Sequence, residues 1–248
     1  MASILDKYGI KEVADVTIFE LNDDGSFGAP VLYLDSLKVS TLEQTADQSE
    51  ARGGKGNLPL VIWDFGKEIT LNLEDALFSP KSMAIMMGNG TLKTATKVQR
   101  TTTFKGTTKP AYWTAPDGTQ YKIPEGAKVY DETGAEASSS LTEGKTYTLV
   151  WDQVVTGNTI EISPDSFPGT YGLIGDTYAR SAVTGKDEFF QFKVSKAKMT
   201  PERTLTFQAE GDPSTFNMSL RVMRPAAGNM VELTQYSVPD EQKYTPGG

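Results

Sequence analysis

The chain has 248 residues, 38% of them hydrophobic and 23% charged, and carries a net charge of −8. It contains no histidine and no cysteine, which excludes an imidazole base, Ser-His-Asp and Cys-His nucleophile pairs, imidazole or thiolate metal ligands, and a disulfide-built scaffold. Its balance of 32 Asp+Glu against 24 Lys+Arg has the wrong sign for a protein that binds nucleic acid by neutralising phosphates. The N-terminal run Met1-Ala2-Ser3-Ile4-Leu5-Asp6-Lys7 lacks the basic-then-apolar order of a signal peptide, and no apolar run approaches the ~20 residues of a membrane-spanning helix.

Residues 13–39 read as two strands and a turn. Val16, Ile18 and Phe19 lie in the first strand, and Asn22-Asp23-Asp24-Gly25 is turn chemistry, because Asn, Asp and Gly tolerate positive φ. The second strand runs over 31–39. The acidic turn lacks the ligand spacing and terminal Glu of an EF-hand, so it reads as a hairpin and not as a calcium loop.

Residues 40–60 are polar and end in Arg52-Gly53-Gly54-Lys55-Gly56-Asn57. The glycines and Lys55 do not match the spacing of a phosphate-binding loop, and no helix start follows. The stretch reads as a long loop, unfolded until a neighbour orders it. Loops of that length are functional or disordered.

Residues 59–73 read as another pair of strands, interrupted at Gly66-Lys67. The clearest helix follows. Ser79 suits the N-cap, Pro80 the first helical position and Gly88 the position past the end, with Met83, Ala84, Ile85, Met86 and Met87 as an apolar body.

Residues 104–168 differ in texture, punctuated by Pro110, Pro116, Pro124, Pro164 and Pro168. Short strands are expected at 120–123, 128–130, 147–155 and 159–162, with a small polar linker at 135–140. The cations Lys93, Lys97, Arg100, Lys105 and Lys109 read as a solvated strand or loop face. The last third returns to strands at 189–194, 204–209 and 216–223. In the last of these, Phe216, Met218, Leu220 and Val222 alternate with polar residues, as in a hairpin with one buried face. A final strand is expected at 230–236, followed by a polar tail.

No catalytic, cofactor-binding or metal site emerges. The carboxylate neighbours Glu74-Asp75 and Asp187-Glu188 read as solvated surface. A two-carboxylate hydrolase needs neither His nor Cys, yet only Trp63, Trp113 and Trp151 are available to line a sugar cleft.

The order of segments resembles the major tail tube proteins of tailed bacteriophages. The resemblance rests on Val31-Leu32-Tyr33-Leu34-Asp35-Ser36-Leu37-Lys38, Glu43-Gln44, the Arg52–Asn57 glycine loop, Trp63-Asp64-Phe65-Gly66-Lys67-Glu68-Ile69, Glu74-Asp75-Ala76-Leu77-Phe78-Ser79 and Ala209-Glu210-Gly211-Asp212-Pro213-Ser214-Thr215-Phe216. It covers roughly residues 13–90 and 170–236. It implies a mainly β protein: a two-sheet antiparallel β-sandwich core, 1–103 with 169–248, one short flanking helix, and a β-rich insertion at 104–168 on the outer surface. It further implies hexameric rings stacked into a tube in the virion tail, made in the host cytoplasm. Through the tube DNA passes without sequence-specific binding. Glu43, Gln44, Arg52, Gly53, Gly54, Lys55, Gly56 and Asn57 become the expected assembly loop. The partners would be the chain itself and the tape measure, tail terminator and baseplate or tip proteins, with no membrane and no cofactor. The competing reading from the residues is a virion surface or decoration protein, or a carbohydrate-binding β-sandwich.

Overall fold

A computed structural model describes residues 7–10, 12–88, 90–106, 112–114, 118–137, 141–202 and 215–237. Its strands are β1 (Tyr8–Ile10), β2 (Asp15–Leu21), β3 (Phe27–Leu34), β4 (Leu37–Gly53), β5 (Leu58–Asp75), β6 (Lys93–Lys105), β7 (Tyr112–Thr114), β8 (Gln120–Lys122), β9 (Lys128–Tyr130), β10 (Thr146–Thr159), β11 (Thr170–Ser181), β12 (Asp187–Met199), β13 (Phe216–Val222) and β14 (Val231–Tyr236). The helix α1 (Pro80–Met87) stands between β5 and β6. The chain divides into two units, Met1–Thr91 with Ile162–Gly248, and Leu92–Glu161.

In the first unit the hydrogen-bonded order is β3-β2-β11-β12-β13-β5-β4, with β1 on β11 and β14 on β12, every pair antiparallel. Strand β12 changes partner along its length. Its residues 189–194 pair with β14, and 197–199 pair with β13. The sheet therefore turns over between them, giving the expected sandwich: β3-β2-β11-β12-β14 on one side, β13-β5-β4 with the end of β12 on the other. Alternation explains the core. Val16, Ile18, Leu173 and Val194 face Leu71, Leu73, Met218 and Leu220, all fully buried in one cluster.

Helix α1 has the expected boundaries. The Ser79 hydroxyl accepts from the Ser82 backbone N–H at 3.0 Å, and the Ser82 hydroxyl accepts from the Ser79 N–H at 2.9 Å, so each end of this capping box satisfies an orphan donor. Ala84, Ile85 and Met86 are buried. Ahead of the helix, the buried carboxylate of Asp75 accepts from the Ser36 hydroxyl at 2.6 Å and from the Leu77 N–H. It thereby fixes the exit of β5 against the β3–β4 connection. The turn at 22–25 also forms as read: Gly25 takes φ 82°, and Asp24 accepts from the Ser26 N–H at 2.9 Å.

Three expectations are corrected. Residues 40–60 are a long hairpin and not a loop, because β4 runs to Gly53 and β5 begins at Leu58. Residues 59–73 are one strand and not two: Gly66, at φ 61°, sits in a bulge of the β4–β5 ladder where the register shifts between Thr45 and Asp47. Residues 170–181 form β11, a strand not foreseen; its inward side begins with Tyr171 and Leu173 but continues with Gly175, Thr177, Ala179 and Ser181, small or polar residues that give little apolar signal. The expected strand at 204–209 lies outside the described residues, as do the segment 209–214 and most of the polar tail.

The second unit begins earlier than the expected 104 and ends before 168, because β6 belongs to it as the long partner of β10. Its sheet is β6-β10-β9, beside a separate β7-β8 ribbon. Phe104, Val129, Tyr147, Leu149 and Trp151 form its own core. The expected strands at 120–123, 128–130 and 147–155 appear as β8, β9 and β10; residues 160–162 are not a strand.

Candidate assembly surface

Among the described residues, the outer half of the β4–β5 hairpin pairs only with itself. Residues 44–53 of β4 face residues 58–69 of β5, whereas β13 reaches only residues 70–75 of β5. About ten residue pairs at ~3.3 Å per residue make an arm on the order of 30 Å long.

The arm is two-sided and apolar along one strand. Val61, Trp63 and Phe65 occupy one face, against Ala51, Ser49 and Asp47. Ile62 lies on the other face opposite Glu50, and Leu60 stands at a bulge against Gly53. Leu58, Leu60, Ile62, Trp63 and Phe65 are each more than half exposed. A soluble surface carries single exposed apolar residues without consequence, but a contiguous apolar strand marks an interaction surface.

The expected assembly residues are split by this geometry. Glu43 and Gln44 sit at the arm's base, opposite Thr70 and Ile69. Arg52 and Gly53 close the ladder at its far end, and Gly54, Lys55, Gly56 and Asn57 form the tip. Gly54 and Gly56 take φ 76° and 89°, Asn57 takes φ 51°, and the Asn57 N–H donates to the Gly54 carbonyl at 3.2 Å. The Arg52 guanidinium pairs with Glu50 at 2.6 Å. The apolar residues 58–65, which the reading placed in a strand but not in the site, carry most of the arm's surface. Their signal was apolar character at both positions of the alternation.

A second exposed surface lies on the outside of the layer containing β11. Tyr178, Phe189 and Tyr236 stack in a row across β11, β12 and β14, with centroids 5.3 Å apart at each step. Beside the row, Asp176 stands in register with Asp15 and accepts from Gln191 at 2.8 Å. The Asp15 charge next to Tyr33 holds that phenol above its ordinary pKa. Arg180 and Asp187 form a two-pronged pair at 2.6 and 2.7 Å, which raises the guanidinium's pKa.

The same unit has a groove of about 520 Å³ lined on one side by Phe190 and Leu233 and on the other by Leu42 and Leu71. Among the described residues no group of three or more His, Cys, Asp or Glu side chains is placed to hold a metal ion. Among them, too, no helix is long and apolar enough to cross a membrane.

No curated protein matches the sequence. A single family model spans almost all of both units: the match covers residues 8–233, and the chain belongs to the YomU/Tube protein family.

Proposed function

We propose that the chain is the structural subunit of a bacteriophage tail tube, assembling into hexameric rings that stack around the channel for DNA ejection. The family match supports a phage-related structural tube protein. The single observation that carries the finer reading is the projecting arm, whose exposed apolar strand calls for a covering surface that the described residues of its own unit do not provide.

Open strand edges support the same reading. Among the described residues, strands β3, β4 and β14 each pair on one side only. Free edges invite association, and closure of a ring removes them. The charge distribution also fits. The second unit is balanced, with eight Lys+Arg and eight Asp+Glu, so the whole excess of −8 belongs to the sandwich unit. A negative wall repels DNA phosphates and lets the duplex slide without sticking. In this reading the second unit lies outside the tube. The ends of the tube meet the tape measure, terminator and baseplate or tip proteins, and the protein resides in the virion after synthesis in the host cytoplasm.

The test is negative-stain electron microscopy with sedimentation of the purified protein. Rings or tubes are expected, growing with concentration. A species that stays monomeric at every concentration, with a folded circular-dichroism spectrum, would overturn the proposal.

A further inference from the structure

The groove walled by Phe190 and Leu233 is the side of the sandwich left open between its two layers. Phe190 and Leu233 come from β12 and β14, Leu42 and Leu71 from β4 and β5, and Ile10 and Val13 flank them from the N-terminal segment. Leu233 and Ile10 are more than half exposed although they point into the mouth of an apolar core. Beside the groove, β14 pairs among the described strands only with β12, which leaves its other backbone edge open to a partner.

The arm has the matching properties. Its β5 strand pairs with β4 along one edge, and between Leu58 and Ile69 its other edge pairs with no described strand. It presents Val61, Trp63 and Phe65 as a ready-made apolar row. A preformed hairpin is already ordered, so its docking sacrifices little conformational entropy. Strand addition to a free edge supplies main-chain hydrogen bonds, and alternate side chains fill the adjoining pocket.

The arm cannot fill the groove of its own chain. Leu42 in the groove wall stands just below the arm's first pair, Gln44 with Ile69, and the ladder then runs to Gly53 through register shifts at 45–47 and 51–52. Folding the arm back would break that ladder.

We infer that the arm of one copy docks in the groove of the next, the free edge of its β5 strand pairing with β14 and its Val61, Trp63 and Phe65 entering between the layers. The inference rests on the self-assembly reading and names its contact. Donor and acceptor surfaces differ, so the contact is head-to-tail, and every copy offers one of each. Such contacts close into rings or extend without limit.

The absence of native cysteine makes a direct test available. Val61→Cys is placed in one copy and Leu233→Cys in a second copy carrying a mass tag. The two are mixed, assembled and oxidised. The expected product is a tagged–untagged dimer on non-reducing gels, absent when either cysteine is alone and absent below the assembly concentration. Assemblies without that dimer would overturn the docking and leave the tube reading standing. A 61–233 link within one chain carrying both cysteines would likewise overturn it. A wild-type protein that never assembles would sink both. Hydrogen exchange on the unmodified protein covers the case in which the cysteines disturb assembly. Amides of residues 58–65 and 231–236 are expected to slow together at least tenfold on assembly. Assembled protein with unprotected β14 amides would refute the proposal.

Discussion

Gly66 lies against Asp47 across the base of the arm: a Cβ at position 66 would stand 2.8 Å from the Asp47 carboxylate, and the backbone there holds φ at 61°. Both facts belong to the bulge that separates the sandwich part of β4–β5 from the arm, and bulges bend and re-aim the strands that carry them. Gly66→Val therefore meets a clash and a left-handed conformation together. The expected result is a loss on the order of 1–2 kcal/mol in denaturant unfolding, with a much larger fall in sedimenting assemblies. Gly66→Val with Asp47→Ala relieves the clash but not the backbone, so only part of the loss returns. Full recovery would show that the bulge does not aim the arm.

The arm is removable only as a pair of strands. Deleting residues 47–65 and joining 46 to 66 leaves the base pairs and the core residues Leu71 and Leu73 in place. Circular dichroism is expected to show a folded monomer that makes no tubes. Deleting 46–56 alone strips the partner from Leu58, Leu60, Ile62, Trp63 and Phe65, and an unpaired apolar strand aggregates. Normal tubes from the first deletion would show that the arm is not an assembly element.

Within the sandwich, Gly175 is the cross-strand partner of Phe192, and a Cβ there would fall 2.1 Å from the ring. Gly175→Ala forces the ring out of the core. The expected cost is about 3 kcal/mol by chemical denaturation, the upper end for overpacking, partly restored by Phe192→Leu. An unchanged midpoint would mean that the ring has room to move.

The second unit leaves and re-enters the chain side by side, since Lys93 is in register with Thr159 and its ammonium pairs with Glu161 at 2.6 Å. Replacing 92–161 by a short Gly/Ser linker is expected to leave a folded sandwich unit that still forms tubes. A folded protein without tubes would instead assign inter-subunit contacts to this unit.

Asp131 accepts from the Thr133 hydroxyl and from the N–H groups of Thr133 and Ala135. These bonds favour the charged form and hold the carboxyl below its ordinary 3.8. A folded value below the unfolded one means that the contribution is complete above 3.8 and fades as pH falls through the folded value. Asp131→Asn keeps the turn's acceptor, so the variant should match wild type least well at neutral pH and converge with it in acid. Carboxyl NMR titration and thermal unfolding at pH 7 and pH 3 read both parts.

What the sequence revealed depended on whether a segment had one buried face. Phe216, Met218, Leu220 and Val222 alternate cleanly and form β13 with all four buried. Ser79 and Pro80 open α1 through local backbone chemistry, and Gly88 closes it where a Cβ would stand 2.8 Å from that of Ser166. The polar half of the arm gave no such signal. Residues 43–50 are exposed on both faces and become a strand only because β5 supplies a ladder partner, so nothing in their periodicity distinguishes them from a loop. Strand β6 was hidden similarly: most of its residues are exposed, and its clue lay in the β-branched threonines and not in alternation. Gly66 read as a break because a bulge and a turn use the same residue. The groove at Leu233 was illegible for another reason. Its walls come from strands far apart in the sequence, and no local pattern records that two layers fail to meet along one side.

Strand β12 serves both layers, with β14 along one stretch and β13 along the next. A strand bonded into two sheets cannot slide or peel in one of them without loading the other. Tension applied at the β14 edge is therefore carried through a single backbone into β13 and on to the base of the β4–β5 hairpin. Among the described residues, β12 is thus the stretch where the two layers share one backbone, so neither can yield there without the other.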